Sequence, residues 1–160
     1  MGMFTKDDAP HAPLTPLARD RIVATLEASK WSYFIDSEGD VGGFWDYNVF
    51  YFFQFGQSKE IFQVRGLWRQ RPPAVELPRL MGLVNEWNAR HRWPKGMAYE
   101  ASGMVQVRGE LSVDYEHGVT DAQLSQHVRC AISTTMDMFS HLETYYAFTP
   151  VEPPAQPDAQ

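Results

Sequence analysis

Cysteine is almost absent from this sequence, with Cys130 the single one among 160 residues. One thiol cannot form an intramolecular disulfide framework, and such sparing use of cysteine favours a reducing compartment. Long apolar segments are absent as well. The longest aromatic and aliphatic run, 49–53, is far shorter than the about 20 residues that a membrane-spanning helix needs. The segment before Leu17 contains no apolar stretch typical of a signal peptide. These absences predict a cytoplasmic protein that does not enter a membrane.

Familiar catalytic and cofactor signatures are missing too. The sequence contains no Gly-x-Ser-x-Gly nucleophile elbow, no phosphate-binding P-loop and no Gly-rich dinucleotide fingerprint. Serine, histidine and aspartate all occur, but no motif pairs a nucleophile with a base. The sequence therefore predicts a protein that is not an enzyme and that binds no cofactor.

Positive charge is in deficit, with 14 Lys and Arg against 20 Asp and Glu, which gives a net charge of −6. This balance argues against nucleic acid as a partner. The charge is unevenly spread, because segment 65–95 holds seven Lys or Arg residues and two Asp or Glu residues. That segment carries a charge of +5, and the remainder of the chain carries −11.

Apolar and aromatic residues are plentiful, at 44% and 14% of the chain. This content is enough for one globular domain with an aromatic core. Polar and Pro-rich composition at the two ends predicts disorder there. We expect a disordered N-terminal segment at 1–13, one domain at 14–148 and a Pro-rich disordered tail at 149–160.

Helical periodicity and capping signals predict three helices. Thr15 and Pro16 form the pattern of an N-cap followed by proline at the first helical position. Thr120 and Gln123 form a capping box at the start of the last helix, and Pro150 ends it. Apolar residues recur three and four positions apart after each start. The helices are expected at 15–29, 77–91 and 120–146.

Alternating apolar residues predict six strands. The last two strands form a hairpin across Ser102 and Gly103. The order of elements is therefore α-β-β-β-β-α-β-β-α, which is typical of an α+β fold with helices packed on an antiparallel β-sheet. The strands are expected at 31–36, 41–45, 49–55, 61–68, 97–101 and 105–113.

The segment DSEGD at 36–40 resembles a calcium loop, because Asp36, Glu38 and Asp40 alternate along it. An EF-hand loop needs glycine at its sixth position and a bidentate glutamate at its twelfth. Counted from Asp36, those positions are Val41 and Tyr47. The segment is therefore interpreted as a hairpin turn between two strands, without a metal.

One face of the last helix carries metal-ligand residue types. Two pairs on this face have ligand-like spacing, but they lie about 10 Å apart along the helix axis, so one ion cannot use both. The face also points more than about 100° away from the apolar stripe. We interpret it as a solvated surface whose residues are His127, Cys130, Thr134, Asp137 and His141.

The basic segment interleaves arginine with tryptophan, an arrangement that can bind an acidic peptide or single-stranded nucleic acid. The same pattern results when tryptophans fill a core and arginine stems lie over it. Given the net charge of −6, ordinary packing is favoured, an acidic protein partner comes next and nucleic acid last. The candidate partner-binding residues are Arg65, Trp68, Arg69, Arg71, Arg90, Arg92, Trp93 and Lys95.

Several segments together resemble the YbjN family of small bacterial proteins, in its actinobacterial form. They cover most of the chain in order: WSYFIDSEGDVGGFWD (31–46), FYFF (50–53), EIFQVRGLW (60–68), NEWN (85–88), WPK (93–95) and EHGVTDAQL (116–124). The resemblance implies a fold similar to class I type III secretion chaperones and the family label of a sensory transduction regulator. It implies no catalytic or ligand-binding residues. An extra strand relative to the chaperones depends on whether the chain breaks between Trp45 and Val49.

Two functions follow as hypotheses. The first is a non-enzymatic regulatory or chaperone-like module that binds a protein partner through sheet edges or aromatic grooves. The alternative is a sensor of small molecules or nucleotides with a pocket near Trp45, Arg65 and Trp68. The high aromatic content and the resemblance to secretion chaperones also predict a homodimer.

Overall fold

The structure, a computed structural model, describes residues 12–145. Most of the predicted N-terminal segment and the whole Pro-rich tail lie outside the described residues, as do Tyr146 and Pro150. The predicted order α-β-β-β-β-α-β-β-α is confirmed, and the fold is α+β. The elements are α1 (Arg19–Ala28), β1 (Phe34–Ile35), β2 (Val41–Trp45), β3 (Asn48–Phe55), β4 (Ile61–Leu67), α2 (Leu77–Arg90), β5 (Lys95–Ala101), β6 (Met104–Asp114) and α3 (Asp121–Tyr145).

The six strands form one antiparallel sheet in the order β1-β2-β3-β4-β6-β5. The break between Trp45 and Val49 is a tight hairpin turn, because Asp46 and Tyr47 both have positive φ, at 49° and 62°. Such left-handed pairs match the twist of the flanking strands. Ser102 and Gly103 make the second tight turn in the same way, at 54° and 78°. The four-stranded meander and the later hairpin are therefore both present.

One face of the sheet packs against the helices and forms the core. The capping box of α3 is confirmed. The Thr120 hydroxyl accepts a hydrogen bond from the Gln123 amide, and the Gln123 side-chain oxygen accepts one from the Thr120 amide, both at 3.1 Å. The apolar stripe of α3 from Leu124 to Leu142 is buried. It meets large buried side chains of the sheet such as Phe50, and each fully buried leucine or phenylalanine contributes about 1.5–3 kcal/mol.

A row of glycines lets α3 lie close to the sheet. In the strand register Gly43 is paired with Phe50, Phe50 with Gly66, Gly66 with Gly109 and Gly109 with Gly96. A Cβ atom on Gly66 would lie 2.7 Å from the Thr135 methyl carbon, and one on Gly109 would lie 3.0 Å from the Met138 methyl carbon. The glycines therefore leave a trough in the core face that α3 fills.

The expected start of the first helix was wrong. Thr15 pairs in a β-bridge with Val119, so its backbone is extended, and α1 begins at Arg19 without a side-chain cap. The first strand is also shorter than expected. The amide of Trp31 bonds the carbonyl oxygen of Leu26 at 3.0 Å, which keeps Trp31 in the turn after α1 and leaves only 34–35 as strand.

Within residues 12–145, no helix combines the length and the apolar character that crossing a membrane requires.

Candidate partner-binding surfaces

The eight predicted partner-binding residues lie in different parts of the fold. Trp68 is 1% exposed and belongs to the core, so it cannot stack on a partner while the protein is folded. Its indole N–H points to Glu143 at 3.4 Å. Arg69 forms an ion pair with the same Glu143, at 3.0 Å from Nη2. These two residues fasten the end of β4 to α3.

Arg65 and Lys95 lie on the sheet face opposite to the helices. The register places both of them opposite Glu110 of β6, one from each side. Arg65 Nε donates to Glu110 Oε1 at 2.8 Å, and the Arg65 guanidinium also lies 4.9 Å from the centre of the Phe53 ring. Arg108 Nε lies 3.2 Å from the same oxygen. The sequence interpretation missed Arg108 and Glu110, because only the pairing of distant strands places them here.

Arg90, Arg92 and Trp93 come together at the end of α2 and in the loop that leads to β5. With Ala89, His91 and Thr134 they line an open cavity of about 540 Å³. Trp93 is 51% exposed, and both arginines are exposed. We call Arg90, Arg92 and Trp93 the basic loop.

The basic loop is anchored at both of its ends. The His91 ring stacks on the buried Trp87 ring with 3.7 Å between centroids. The Asn88 side chain accepts a hydrogen bond from the Gly96 amide at 2.9 Å and donates one to the Gly96 carbonyl oxygen at 3.1 Å. These contacts join the last turn of α2 to the first residues of β5 and hold the loop in one position.

Arg71 is exposed but lies far from the basic loop. It precedes Pro72, whose carbonyl oxygen accepts the amide of Val105 at the start of β6. That point is at the opposite end of β5 from the basic loop, about 20 Å away for a strand of this length. The predicted residues therefore do not form one continuous surface.

The alternative pocket near Trp45, Arg65 and Trp68 is not formed. Trp45 lies on the core side, with its ring 5.3 Å from Phe50, whereas Arg65 lies on the opposite face of the sheet. Trp68 is enclosed in the core. The three residues cannot share a ligand, because the sheet itself separates Arg65 from the two tryptophans. Trp45 instead lines an open groove of about 700 Å³ with Trp31 and α3.

The segment DSEGD is a hairpin turn between β1 and β2, as predicted. The Asp36 carboxylate accepts hydrogen bonds from the amides of Glu38 and Asp40, each at 2.9 Å. Gly39 has φ of 86°, a conformation that glycine adopts without strain. The carboxylate of Asp36 thus holds the turn in shape.

The expectation of a solvated face on α3 was wrong for most of its residues. His127 is hydrogen-bonded to the hydroxyl of Tyr115, and burial lowers the pKa of this histidine. The His141 ring lies 5.6 Å from the Trp87 ring, and Cys130 packs against the core. Tyr115, just after β6, and Trp87 of α2 thus cover parts of this face, and Asp137 stays exposed. In the part of the chain that the structure describes, no three His, Cys, Asp or Glu residues are placed to hold a metal ion.

These features define an α+β protein with three helices on one face of a six-stranded antiparallel sheet and exposed arginine and aromatic groups elsewhere. The chain belongs to the YbjN family. The family model described as "YbjN: Putative bacterial sensory transduction regulator" matches residues 18–144.

The solved structures similar to this chain include the following two. One is "Crystal structure of YbjN, a putative transcription regulator from E. coli", with 11% identity, a TM-score of 0.72, and coverage of 83% of this chain and 96% of that chain. At this identity the likeness shows the fold alone. The other, "Structure of the HopA1-SchA Chaperone-Effector Complex", has 13% identity, covers 78% of this chain and 99% of that chain, and has a TM-score of 0.49, too low to support a conclusion. A search of curated proteins finds no match.

Proposed function

We propose that this protein is a regulatory protein-interaction module without catalytic activity, and that its basic loop binds an acidic segment of a protein partner. The observation that carries the proposal is the cavity lined by Arg90, Arg92 and Trp93, in which no lining residue is a carboxylate. Membership of a family described as a sensory transduction regulator agrees with a regulatory role.

The charge of the basic loop is available to a partner. Neither Arg90 nor Arg92 forms an ion pair with any residue of segment 12–145. The dipole of α2 favours a cation at Arg90, which is the last residue of the helix. It does not account for Arg92, which lies beyond the helix end, or for the exposure of Trp93. Arginine binds carboxylates in a bidentate manner, so two adjacent guanidinium groups suit a run of acidic residues.

Trp93 adds apolar contact to this charge. Exposed tryptophan beside arginine is the composition of protein-interface hot spots. The anchoring of the loop by His91 and Asn88 lowers the entropy cost of binding, because the loop is already ordered before the partner arrives. An acidic peptide with short side chains would lie over Trp93 and reach both guanidinium groups.

Three further parts of the proposal come from the sequence alone. They are a location in the cytoplasm, a homodimer, and a partner that is a protein and not nucleic acid. The net charge of −6 supports the last, since an acidic protein repels a polyanion except at a local positive site.

The test uses two short fluorescein-labelled peptides, one with Glu alternating with Ala and one with Gln in place of Glu. Fluorescence anisotropy should show binding of the Glu peptide, weaker at higher salt. Reversing both Arg90→Glu and Arg92→Glu should lower the affinity roughly 2- to 30-fold, because each exposed charge contributes about 0.2–1 kcal/mol. The matched control reverses Lys30→Glu and Lys59→Glu, which are exposed and lie elsewhere. Equal binding of the two peptides, or equal loss in the two double variants, contradicts the proposal.

A further inference from the structure

The sheet face opposite to the helices carries a patch of aromatic side chains that no described helix covers. Ring centroids lie 5.4–5.7 Å apart along the patch, so the rings form one contiguous surface. Phe44 is 48% exposed and Phe55 is 43% exposed. Apolar surface of this kind on a folded protein marks an interaction site. The aromatic patch consists of Phe34, Phe44, Tyr51, Phe53 and Phe55 on β1, β2 and β3.

The other half of the same face carries three cations around one carboxylate. Arg65 takes the well-oriented hydrogen bond to Glu110 Oε1. Arg108 Nε forms an ion pair with that oxygen at 3.2 Å without a hydrogen bond, Arg108 Nη2 donates to the thioether of Met97 at 3.7 Å, and the Arg108 guanidinium lies 5.2 Å from the centre of the Tyr99 ring. Lys95 lies opposite Glu110 on β5. Arg108 therefore shares the Glu110 carboxylate with Arg65. We call Arg65, Arg108 and Lys95 the cation group.

The edge of the aromatic patch carries the complementary charge. The turn at 36–40, between β1 and β2, holds three carboxylates next to Tyr51. Burial raises the pKa of Tyr51, and the charges of Asp36, Asp40 and Glu38 raise it further. This acidic turn thus lies at one end of β1 and β2, next to the aromatic patch, whereas the strand order places the cation group on the other half of the face.

We infer that this face binds the same face of a second copy of the chain, around a two-fold axis that lies between the two sheets and along the strands. Such an axis exchanges the halves of the face and keeps each residue's position along the strands, so the aromatic patch of each copy meets the cation group of the other. Two sheets packed in this way lie about 10 Å apart with their strands aligned to within about 30°. Arg108 shares the strand row of Phe44, and Arg65 that of Tyr51, so their guanidinium groups then meet these rings of the other copy in cation–π contacts. Lys95, at the start of β5, lies nearest to the acidic turn of the other copy.

The size of the face agrees with a dimer interface. Six strands with neighbours about 4.8 Å apart span about 24 Å, and seven residues of strand span about 23 Å. Two such faces would bury about 1,100 Å² in total, slightly above the about 1,000 Å² expected of a specific interface. A second copy is favoured over another protein because this chain already carries both the cations and, in the same strand rows, the aromatic rings that they would meet. The inference rests on the homodimer of the proposed function. Peptide binding at the basic loop uses a different surface, between α2 and β5, so either can fail without the other.

The test measures self-association by sedimentation equilibrium, with circular dichroism to verify that each variant is folded. Wild-type protein should be a dimer at tens of micromolar. Glu38→Arg and Lys95→Glu should each weaken the dimer about tenfold, because each change acts at two symmetry-related contacts. Both changes in one chain should restore it, since the charges are then exchanged. Glu86→Arg on the exposed side of α2 is the matched control and should leave the dimer unchanged.

A hydrophobic variant separates this dimer from one formed elsewhere. Phe44→Ser should give a folded monomer, because Phe44 is half exposed and is not part of the core. A wild-type protein that stays monomeric at hundreds of micromolar, or a dimer that survives Phe44→Ser, overturns the inference. A monomer whose aromatic patch instead binds the Glu peptide or a labelled oligothymidylate assigns the face to another occupant and overturns it equally.

Discussion

Gly66 lies where α3 approaches the sheet most closely, so replacing it with alanine should destabilise the protein. The added Cβ would be 2.6 Å from Phe50 Cε1 and 2.7 Å from Thr135 Cγ2. Neither neighbour can move away easily, because Phe50 is fully buried and Thr135 is 2% exposed. Overpacking of this kind costs about 1–3 kcal/mol. Alanine recovers part of this by reducing the freedom of the unfolded chain, by about 0.4–1 kcal/mol. We expect a net loss of about 1–2 kcal/mol.

Gly82 provides a matched control for the same substitution. It lies inside α2, is exposed, and has no atom within 4 Å of the position that an added Cβ would occupy. Alanine favours a helix interior over glycine by about 0.5–1 kcal/mol, so Gly82→Ala should stabilise the protein. Urea unfolding followed by circular dichroism and tryptophan fluorescence gives both free energies, provided the m-values agree.

A second substitution tests whether the clash with Thr135 is the cause. Thr135→Ser removes the methyl carbon that Gly66→Ala would meet. In the double variant the cost of Gly66→Ala should fall, which gives a favourable coupling energy of about 0.5 kcal/mol or more. If Gly66→Ala is neutral or stabilising like Gly82→Ala, then α3 does not lie in a glycine trough and the packing described for the core is wrong.

Three other outcomes are expected from the local structure. Thr120→Ala should cost about 1 kcal/mol in urea unfolding, because it removes the hydroxyl that accepts the Gln123 amide; an unchanged midpoint would contradict the capping box. His127 has a pKa below its ordinary 6.5 when folded, so its stabilising contribution is present above pH 6.5 and is lost as pH falls through the folded pKa. His127→Gln should therefore flatten the fall in stability below pH 6.5, and an unaltered pH profile would refute this. Calorimetry should detect no calcium binding at 36–40; a micromolar Kd abolished by Asp40→Ala would disprove the turn assignment.

The sequence predicted the elements well because each depends on local chemistry. Neighbouring residues determine the capping box at Thr120, the tight turn at Ser102 and Gly103, and the strands in which apolar residues alternate. The start of α1 failed for a non-local reason. Thr15 carries a capping signal, but its amide and carbonyl groups bond Val119, which is more than a hundred residues away. Tertiary pairing overrode the local preference.

The candidate site was predicted only in part, because a contiguous basic segment does not stay contiguous in a fold. Alternation along β4 sends Arg65 to the open face, and Trp68 just beyond the strand is enclosed in the core. Helix α2 then separates them from the basic loop. Conversely, Arg108 and Glu110 meet Arg65 only through the register of β4 with β6, which no local pattern reveals. Partners across a sheet require knowledge of which strands are neighbours.

The sequence of β3 gives a separate reason to expect a cover over the open face. Its run from Val49 to Phe53 is apolar throughout, as in strands that are buried on both faces, whereas a strand with one solvated face alternates. Strand β4 does alternate, with Gln63 and Arg65 directed away from the core. A cover over this face therefore has to be apolar or cationic above β3, where it meets aromatic rings. A two-fold dimer that exchanges the halves of the face satisfies this condition with a single surface, because the arginines of one copy lie over the aromatic rings of the other.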